Sequence, residues 1–226
     1  MPELPEVGTP VTGSARELSI VDLVLTELDH ALRTVASRSA AASAPSPADA
    51  VPEAELDAAA QRRAAGLMRV NHSGEVCAQA LYRGQALTAR SAATRADMAM
   101  AARDEEDHLD WCQQRLEELD ARPSRLNPVW YAASFALGVG AGLVGDRLGL
   151  GFVAATEDQV CEHLRDHLDR LPPRDARSRA LVSRMLDDEA VHAHRARDAG
   201  ALTFPGPVKA AMTLTSRLMT ALSYRV

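Results

Sequence analysis

The sequence predicts an all-α protein built as a four-helix bundle, with a long apolar crossover helix and an additional amphipathic helix near the C-terminal end. Three observations carry the prediction. Ala, Leu, Arg, Asp and Glu dominate the 226 residues, aromatic residues make up only 4%, and no β-branched alternating run appears. Apolar residues recur at spacings of three and four through most of the chain. One acidic pattern occurs twice: Asp104-Glu105-Glu106-Asp107-His108 is matched by Asp188-Glu189-Ala190-Val191-His192. Each is a Glu-x-x-His preceded by Asp, and in a helix side chains at i and i+3 share a face.

Taken in order, residues 1–17 hold Pro2, Pro5, Gly8, Pro10 and Gly13 with little apolar content, which predicts a disordered tail. Residues 18–36 carry Leu18, Val21, Leu25, Leu28, Leu32 and Val35, the stripe of an N-terminal amphipathic helix. Residues 37–52 are rich in Ala, Ser and Pro and read as a linker, leaving 53–226 as the main domain. A helical pattern from about Glu53 to Ala89 contains Glu75. Gly66, Gly74 and Gly84 within it each weaken it by roughly 1 kcal/mol relative to Ala, so they mark expected close approaches of another helix or a ligand. A second helix, from about Ala93 to Asp120, contains Glu105 and His108 and stops before Pro123.

Pro128 to Gly145 is the most apolar stretch, 18 residues without a charge, which reaches the length at which a membrane span must be considered. Ligand geometry decides against a span. Crossing a bilayer here would put Glu157 and Glu189 on the opposite side from Glu75 and Glu105, so the stretch is expected to be the crossover between two helix pairs, against the bundle or in a membrane surface. Two further helices are predicted, from about Phe152 to Arg170 and from about Asp175 to Ala199. Pro207 to Tyr224 mixes Leu214, Leu218 and Leu222 with Lys209 and Arg217, a locally cationic amphipathic helix suited either to a membrane surface or to packing on the bundle.

Glu75 precedes Glu105 by 30 residues, and Glu157 precedes Glu189 by 32, each inside its own apolar, Ala-rich segment. The order Glu, Glu-x-x-His, Glu, Glu-x-x-His on four antiparallel helices is the inward-facing ligand set of dinuclear carboxylate bundles. Four carboxylates balance two divalent ions, and without such compensation buried carboxylates would protonate. A thiolate-free set with one imidazole per ion favours iron or manganese over structural zinc. Asp104 and Asp188, four residues before His108 and His192, are assigned as acceptors for imidazole N–H on the opposite helix. Tyr82 and Gln79 can face the site from the Glu75 helix. His72, His163, His167 and His194 are expected at the surface, with His163 able to reach the site's mouth, and Cys112 and Cys161 are read as small apolar groups beneath the cluster.

The formal net charge of −6 and the lack of a clustered basic surface argue against a nucleic-acid partner. Three cysteines without a C-x-x-C speak for a reducing compartment, and no cationic segment followed by an apolar stretch and cleavage site predicts secretion.

At Leu67-Met68-Arg69-Val70-Asn71-His72-Ser73-Gly74-Glu75, Leu81-Tyr82-Arg83-Gly84-Gln85, both Glu-x-x-His segments, the Gly-rich crossover and the C-terminal helix, the chain resembles the demethoxyubiquinone hydroxylase family, in its bacterial branch. The resemblance implies a ferritin-like fold and two iron ions held by Glu75, Glu105, His108, Glu157, Glu189 and His192, with Glu105 and Glu189 as the bridges. It also implies hydroxylation of a polyprenylated methoxy-methyl-benzoquinol with dioxygen in ubiquinone biosynthesis. Peripheral contact with the cytoplasmic face of the bacterial inner membrane is expected, as are partners among other ubiquinone-biosynthesis proteins. Members that carry a His-Tyr pair after the third ligand Glu differ from this chain, which has His163-Leu164, so no role of that tyrosine transfers. Two rivals share the scaffold. A rubrerythrin-like peroxidase would bring a C-x-x-C module, and an iron-storage bundle would not need the apolar crossover.

Overall fold

Four helices of this chain begin where a side chain captures amides that the first turn leaves free. The computed structural model describes residues 19–36 and 44–226, so the tail expected over 1–17 and the first part of the expected linker lie outside the described residues. Within them run α1 (Ile20–Val35), α2 (Ala58–Thr88), α3 (Ala92–Glu118), α4 (Asn127–Val144), α5 (Asp146–Arg170), α6 (Ala176–Asp198) and α7 (Gly206–Ser223), with no strand among the described residues. Ser19 and Asp22 form a reciprocal capping box on α1. The Asp57 carboxylate accepts from Ala59 and Ala60 N–H, Ser91 accepts from Thr94 N–H, and Asp175 accepts from Ser178 N–H.

Two boundaries differ from those predicted. Helix α2 begins at Ala58 rather than near Glu53, because Asp57 supplies the cap and Glu53 is drawn instead into an ion pair with Arg115 at 2.6 Å. Helix α5 begins at Asp146 rather than near Phe152. Gly145, at φ +150°, reverses the chain in a single residue, and the Asp146 carboxylate then accepts from the Arg90 and Ser91 amides at 2.9 and 2.8 Å. That grip ties the α4–α5 turn to the α2–α3 turn at one end of the bundle.

The helices pair as two antiparallel hairpins, α2 with α3 and α5 with α6, packed face to face. Helix α4 lies along the outside of α2, parallel to it, and carries the chain from one end of the bundle to the other. Contact there is backbone to backbone: a Cβ at Gly84 would sit 2.4 Å from the Phe135 carbonyl oxygen, and one at Gly138 would sit 2.3 Å from that of Leu81. The expectation of close approach therefore holds at Gly84, and at Gly66, where the Tyr224 ring fills the space. It fails at Gly74, where nothing lies within 4 Å.

Apolar burial divides into layers along the bundle axis. One cluster gathers Leu67, Met68, Trp111, Leu116, Leu164, Leu181 and Met185; another gathers Tyr82, Met98, Leu150, Val153 and Ala196. On every one of the four helices the predicted site residues lie between those two layers. Residues 44–52, expected as linker, pack on the bundle: Trp111 Nε1 donates to the Ala44 carbonyl, Arg177 Nε to that of Ala48, and Ala48 is buried. Arg115, wholly buried, clasps Glu53, Glu118 and Asp175 and donates to Ser178, holding this segment, α3 and α6 together.

Helix α1 rests on α2 and α4 through Ala31 and Val35, which pack on the cluster of Val76, Ala80, Leu109 and Tyr131, and on α2 through Thr34, whose hydroxyl donates to Gln79, and Glu27, which pairs with Arg83. Its apolar stripe points away from the bundle, with Val21, Leu25, Leu28 and Leu32 each more than half exposed. The outer surface of α4 likewise exposes Val129, Leu137, Leu143 and Val144, and α7 exposes Leu214 and Leu218. Helix α7 is anchored at its C-terminal end, where Trp130 Nε1 donates to Ser223 Oγ and Arg69 donates to the Tyr224 carbonyl. Among the described residues no helix is long and apolar enough to cross a membrane.

Gly84→Ala should therefore lower stability by about 1–3 kcal/mol, the range for overpacking against backbone that has no room to retreat. Gly74→Ala, with open space around its Cβ, should raise it by up to about 1 kcal/mol through helix propensity. Thermal unfolding of the two variants checks both signs.

Candidate metal centre

Glu75 on α2, Glu105 and His108 on α3, Glu157 on α5, and Glu189 and His192 on α6 are all buried, and the structure brings all six together at the bundle's centre. His108 Nδ1 lies 3.2 Å from Glu105 Oε2, 3.1 Å from Glu189 Oε1 and 3.8 Å from Glu75 Oε2. His192 Nδ1 lies 3.3 Å from Glu105 Oε1 and 3.2 Å from Glu189 Oε2. Glu105 and Glu189 thus each reach both imidazoles with separate oxygens, as bridging ligands would, while Glu75 and Glu157 stand at the flanks. The ring centroids are 6.5 Å apart.

The outward nitrogens are oriented by the two aspartates. His108 Nε2 meets Asp188 Oδ2 at 3.2 Å and His192 Nε2 meets Asp104 Oδ2 at 3.3 Å, so each aspartate serves the histidine of the facing helix, the pairing expected from spacing. Such partners hold the ring's orientation and raise its basicity as a ligand. Arg184 in turn holds Asp188 at 2.9 Å.

Without a cation the cluster is held by protons. Burial pushes the Glu75 and Glu157 carboxyls well above the usual range, helped by the charges of Glu105 beside the first and Glu189 beside the second. Burial acts in the same direction on Glu105, but hydrogen bonds from His108 and His192 outweigh it and hold that carboxyl low. For His192, burial opposes the charge, yet Glu105 and Glu189 lift the imidazole to about 11; His108 is lifted well above its ordinary value by Asp188, Glu105 and Glu189. Protonated imidazoles and carboxyls here stand in for missing positive charge. Single ligating atoms of Glu75, Glu105, His108 and Glu189 lie within 4.8 Å of one another. The donor set is compatible with a metal site: all oxygen and imidazole nitrogen, in a spacing that a cation would close.

Some sequence-level placements do not survive. Gln79 turns to Thr34 on α1 and away from the site. His72 is buried and shares Asn127 with Ser73; His167 is also buried, and the half-buried His163 turns its ring onto it, 3.8 Å away between centroids and tilted by 57°, rather than to the site's mouth. Helix periodicity alone could not tell these rings from surface ones. Only His194 is exposed as expected. Cys112 and Cys161 are buried as expected. Tyr82 does face the centre, its hydroxyl donating to Glu157. A cavity of about 260 Å³ ends on Tyr82 and His192 and is walled by Met98, Leu150 and Val153, with Arg195 at its rim. Its walls come from four helices, so no single stretch of sequence announces it.

A buried Glu, Glu-x-x-His repeated on two hairpins of a four-helix bundle defines a ferritin-like carboxylate protein. The chain matches the family described as "Ubiquinone biosynthesis protein COQ7" over residues 62–223. It is 56% identical over 211 residues to the 3-demethoxyubiquinol 3-hydroxylase of Azotobacter vinelandii, covering 93% of this chain and 98% of that one. With the 3-demethoxyubiquinol 3-hydroxylase of Cupriavidus metallidurans it shares 55% identity over 208 residues, 91% of this chain and 100% of the relative. The chain belongs to the COQ7 family of ubiquinone biosynthesis proteins.

Binding of divalent cations must displace the protons on Glu75, Glu157, His108 and His192, so uptake should acidify a weakly buffered solution, and affinity should fall steadily as pH is lowered. Isothermal titration in buffers of different ionisation enthalpy measures the release. Asp188→Ala should cost about 10–100-fold in metal affinity while leaving the helical signal intact.

Proposed function

We propose that this protein is a di-iron monooxygenase that hydroxylates the ring of a polyprenylated methoxy-methyl-benzoquinol with dioxygen, a step in ubiquinone biosynthesis. The observation that carries the reading is the six-residue centre opening onto an apolar cavity, in a chain more than half identical to 3-demethoxyubiquinol 3-hydroxylases along nearly its full length. Iron is the cation that a carboxylate-rich site with one imidazole per ion suits when dioxygen is the co-substrate. The iron pair supplies the activation of dioxygen.

The chain's own residues do the rest. Glu105 and Glu189 span the two ion positions, Glu75 and Glu157 flank them, and Asp104 and Asp188 fix the imidazoles. The cavity is larger than the roughly 150 Å³ that suffices for benzene, so it has room for one substituted ring. A polyprenyl tail does not fit in it and must remain in apolar surroundings outside. The outward stripes of α1, α4 and α7 supply such surroundings and suit contact with the cytoplasmic face of the bacterial inner membrane, where other ubiquinone-biosynthesis proteins hand the quinol on.

Quinone profiling tests the reaction: a cell lacking this gene should accumulate demethoxyubiquinone, the wild-type gene should restore ubiquinone, and Glu189→Ala should not. Restoration by Glu189→Ala would remove the site assignment. For the surface, co-sedimentation with phosphatidylethanolamine–phosphatidylglycerol vesicles should drop several-fold in the double variant Leu25→Glu, Leu28→Glu; undiminished binding would remove α1 from the contact.

A further inference from the structure

The two halves of the centre are built alike but finished differently. Glu75 and Glu157 occupy matching flanks, each followed one helical face later, at the seventh residue, by a buried side chain. After Glu75 that residue is Tyr82, and after Glu157 it is Leu164, which lies in the apolar layer. The phenol of Tyr82 crosses from α2 to donate to Oε1 of Glu157, and no tyrosine does the same for Glu75. Convergence of the ligating atoms is also one-sided. Glu75, Glu105, His108 and Glu189 already bring single atoms within 4.8 Å of one another, a group that Glu157 and His192 do not join. The cavity lies at this second end, on Tyr82 and His192.

We propose that Tyr82 is a positioning residue for the second metal position, which makes the two positions unequal. The inference rests on reading the cluster as a dinuclear centre. At the Glu75–His108 end the donors already converge without a phenol on the flanking carboxylate, so an ion fills that position first. At the Glu157–His192 end one carboxylate oxygen is held by the phenol. The other oxygen is left to meet an ion, and Glu157 is restrained from swinging into the cavity that receives the ring. Filling is therefore ordered, with the second position dependent on one hydroxyl group. Tyr82 is wholly buried and packs with Met98 and Val153, so replacing it by Phe removes the hydroxyl and keeps the ring's packing.

Anaerobic titration of the metal-free protein with Fe(II), and in parallel with Co(II) followed by its visible absorption, reads the two positions separately. In the wild-type chain two ions should bind in two resolvable steps. Tyr82→Phe should leave the first step unchanged and weaken the second by about 10–100-fold, and Glu157→Gln should weaken the same step. Circular dichroism and thermal unfolding of metal-free Tyr82→Phe establish that the fold is retained. Two equal steps in the wild type, an unchanged second step in Tyr82→Phe, or equal weakening of both steps would overturn the inference and leave the dinuclear reading standing. Uptake of fewer than two ions by the wild type would instead remove the dinuclear reading and this inference with it.

Discussion

Four glutamates forced together in a helical interior repel one another and lose their hydration, and the rest of the molecule is arranged around that conflict. Imidazoles at 3.1 to 3.3 Å from Glu105 and Glu189 offset part of the repulsion. Burial offsets another part by keeping protons on Glu75 and Glu157. Both remedies use protons in places where a cation would serve better, and this makes the centre a receptive one. The apolar layers on either side supply the packing that keeps the helices from separating to let water in. A carboxylate centre of this kind needs two cores, one above and one below.

How much of this could be read from the sequence depends on whether a feature repeats. The six site residues were legible because the Glu and Glu-x-x-His elements occur twice with matched preceding aspartates, and one helix face explains each set. The cross-pairing of Asp104 with His192 and of Asp188 with His108 followed from the same geometry. Features made by the meeting of distant segments were not legible. The burial of His72 and His167, the turn of Gln79 toward α1, the clasp of Arg115 and the cavity itself all depend on which helix lies opposite, which periodicity does not encode. Gly149 and Gly151 weaken the helical pattern at the start of α5, whereas in the structure the helix runs through them and Gly151 is the place where the chain after α6 passes: a Cβ there would lie 2.3 Å from the Leu202 carbonyl oxygen.

The apolar stripe of α1 shows another limit of pattern reading. Leu25, Leu28 and Leu32 form the kind of face that usually marks the buried side of a helix, yet the bundle is met by Ala31 and Val35 together with Thr34, Glu27 and their polar partners. An amphipathic pattern reports that a helix has two faces, and only the surroundings decide which face is turned inward. Here a small apolar contact, a hydrogen bond and an ion pair hold the inward face, and Leu25, Leu28 and Leu32 stay exposed.

Helix α4 acts as a ruler. The end of α3 and the start of α5 lie at opposite ends of the bundle; residues 119–126 run from beside Gln61 to beside Ser73, and from there the 18 helical residues of α4 cover about 27 Å. Its glycines lock it against α2 at one register, and Gly145 adds no slack before α5 begins. The depth at which Glu157 enters the centre is thereby set by the length of a helix that contributes no ligand. A single residue inserted or deleted in α4 would turn the α4–α5 junction by about 100° around the α4 axis and shift it by about 1.5 Å along that axis, so the crossover is a gauge of the centre's geometry as well as a link between its halves.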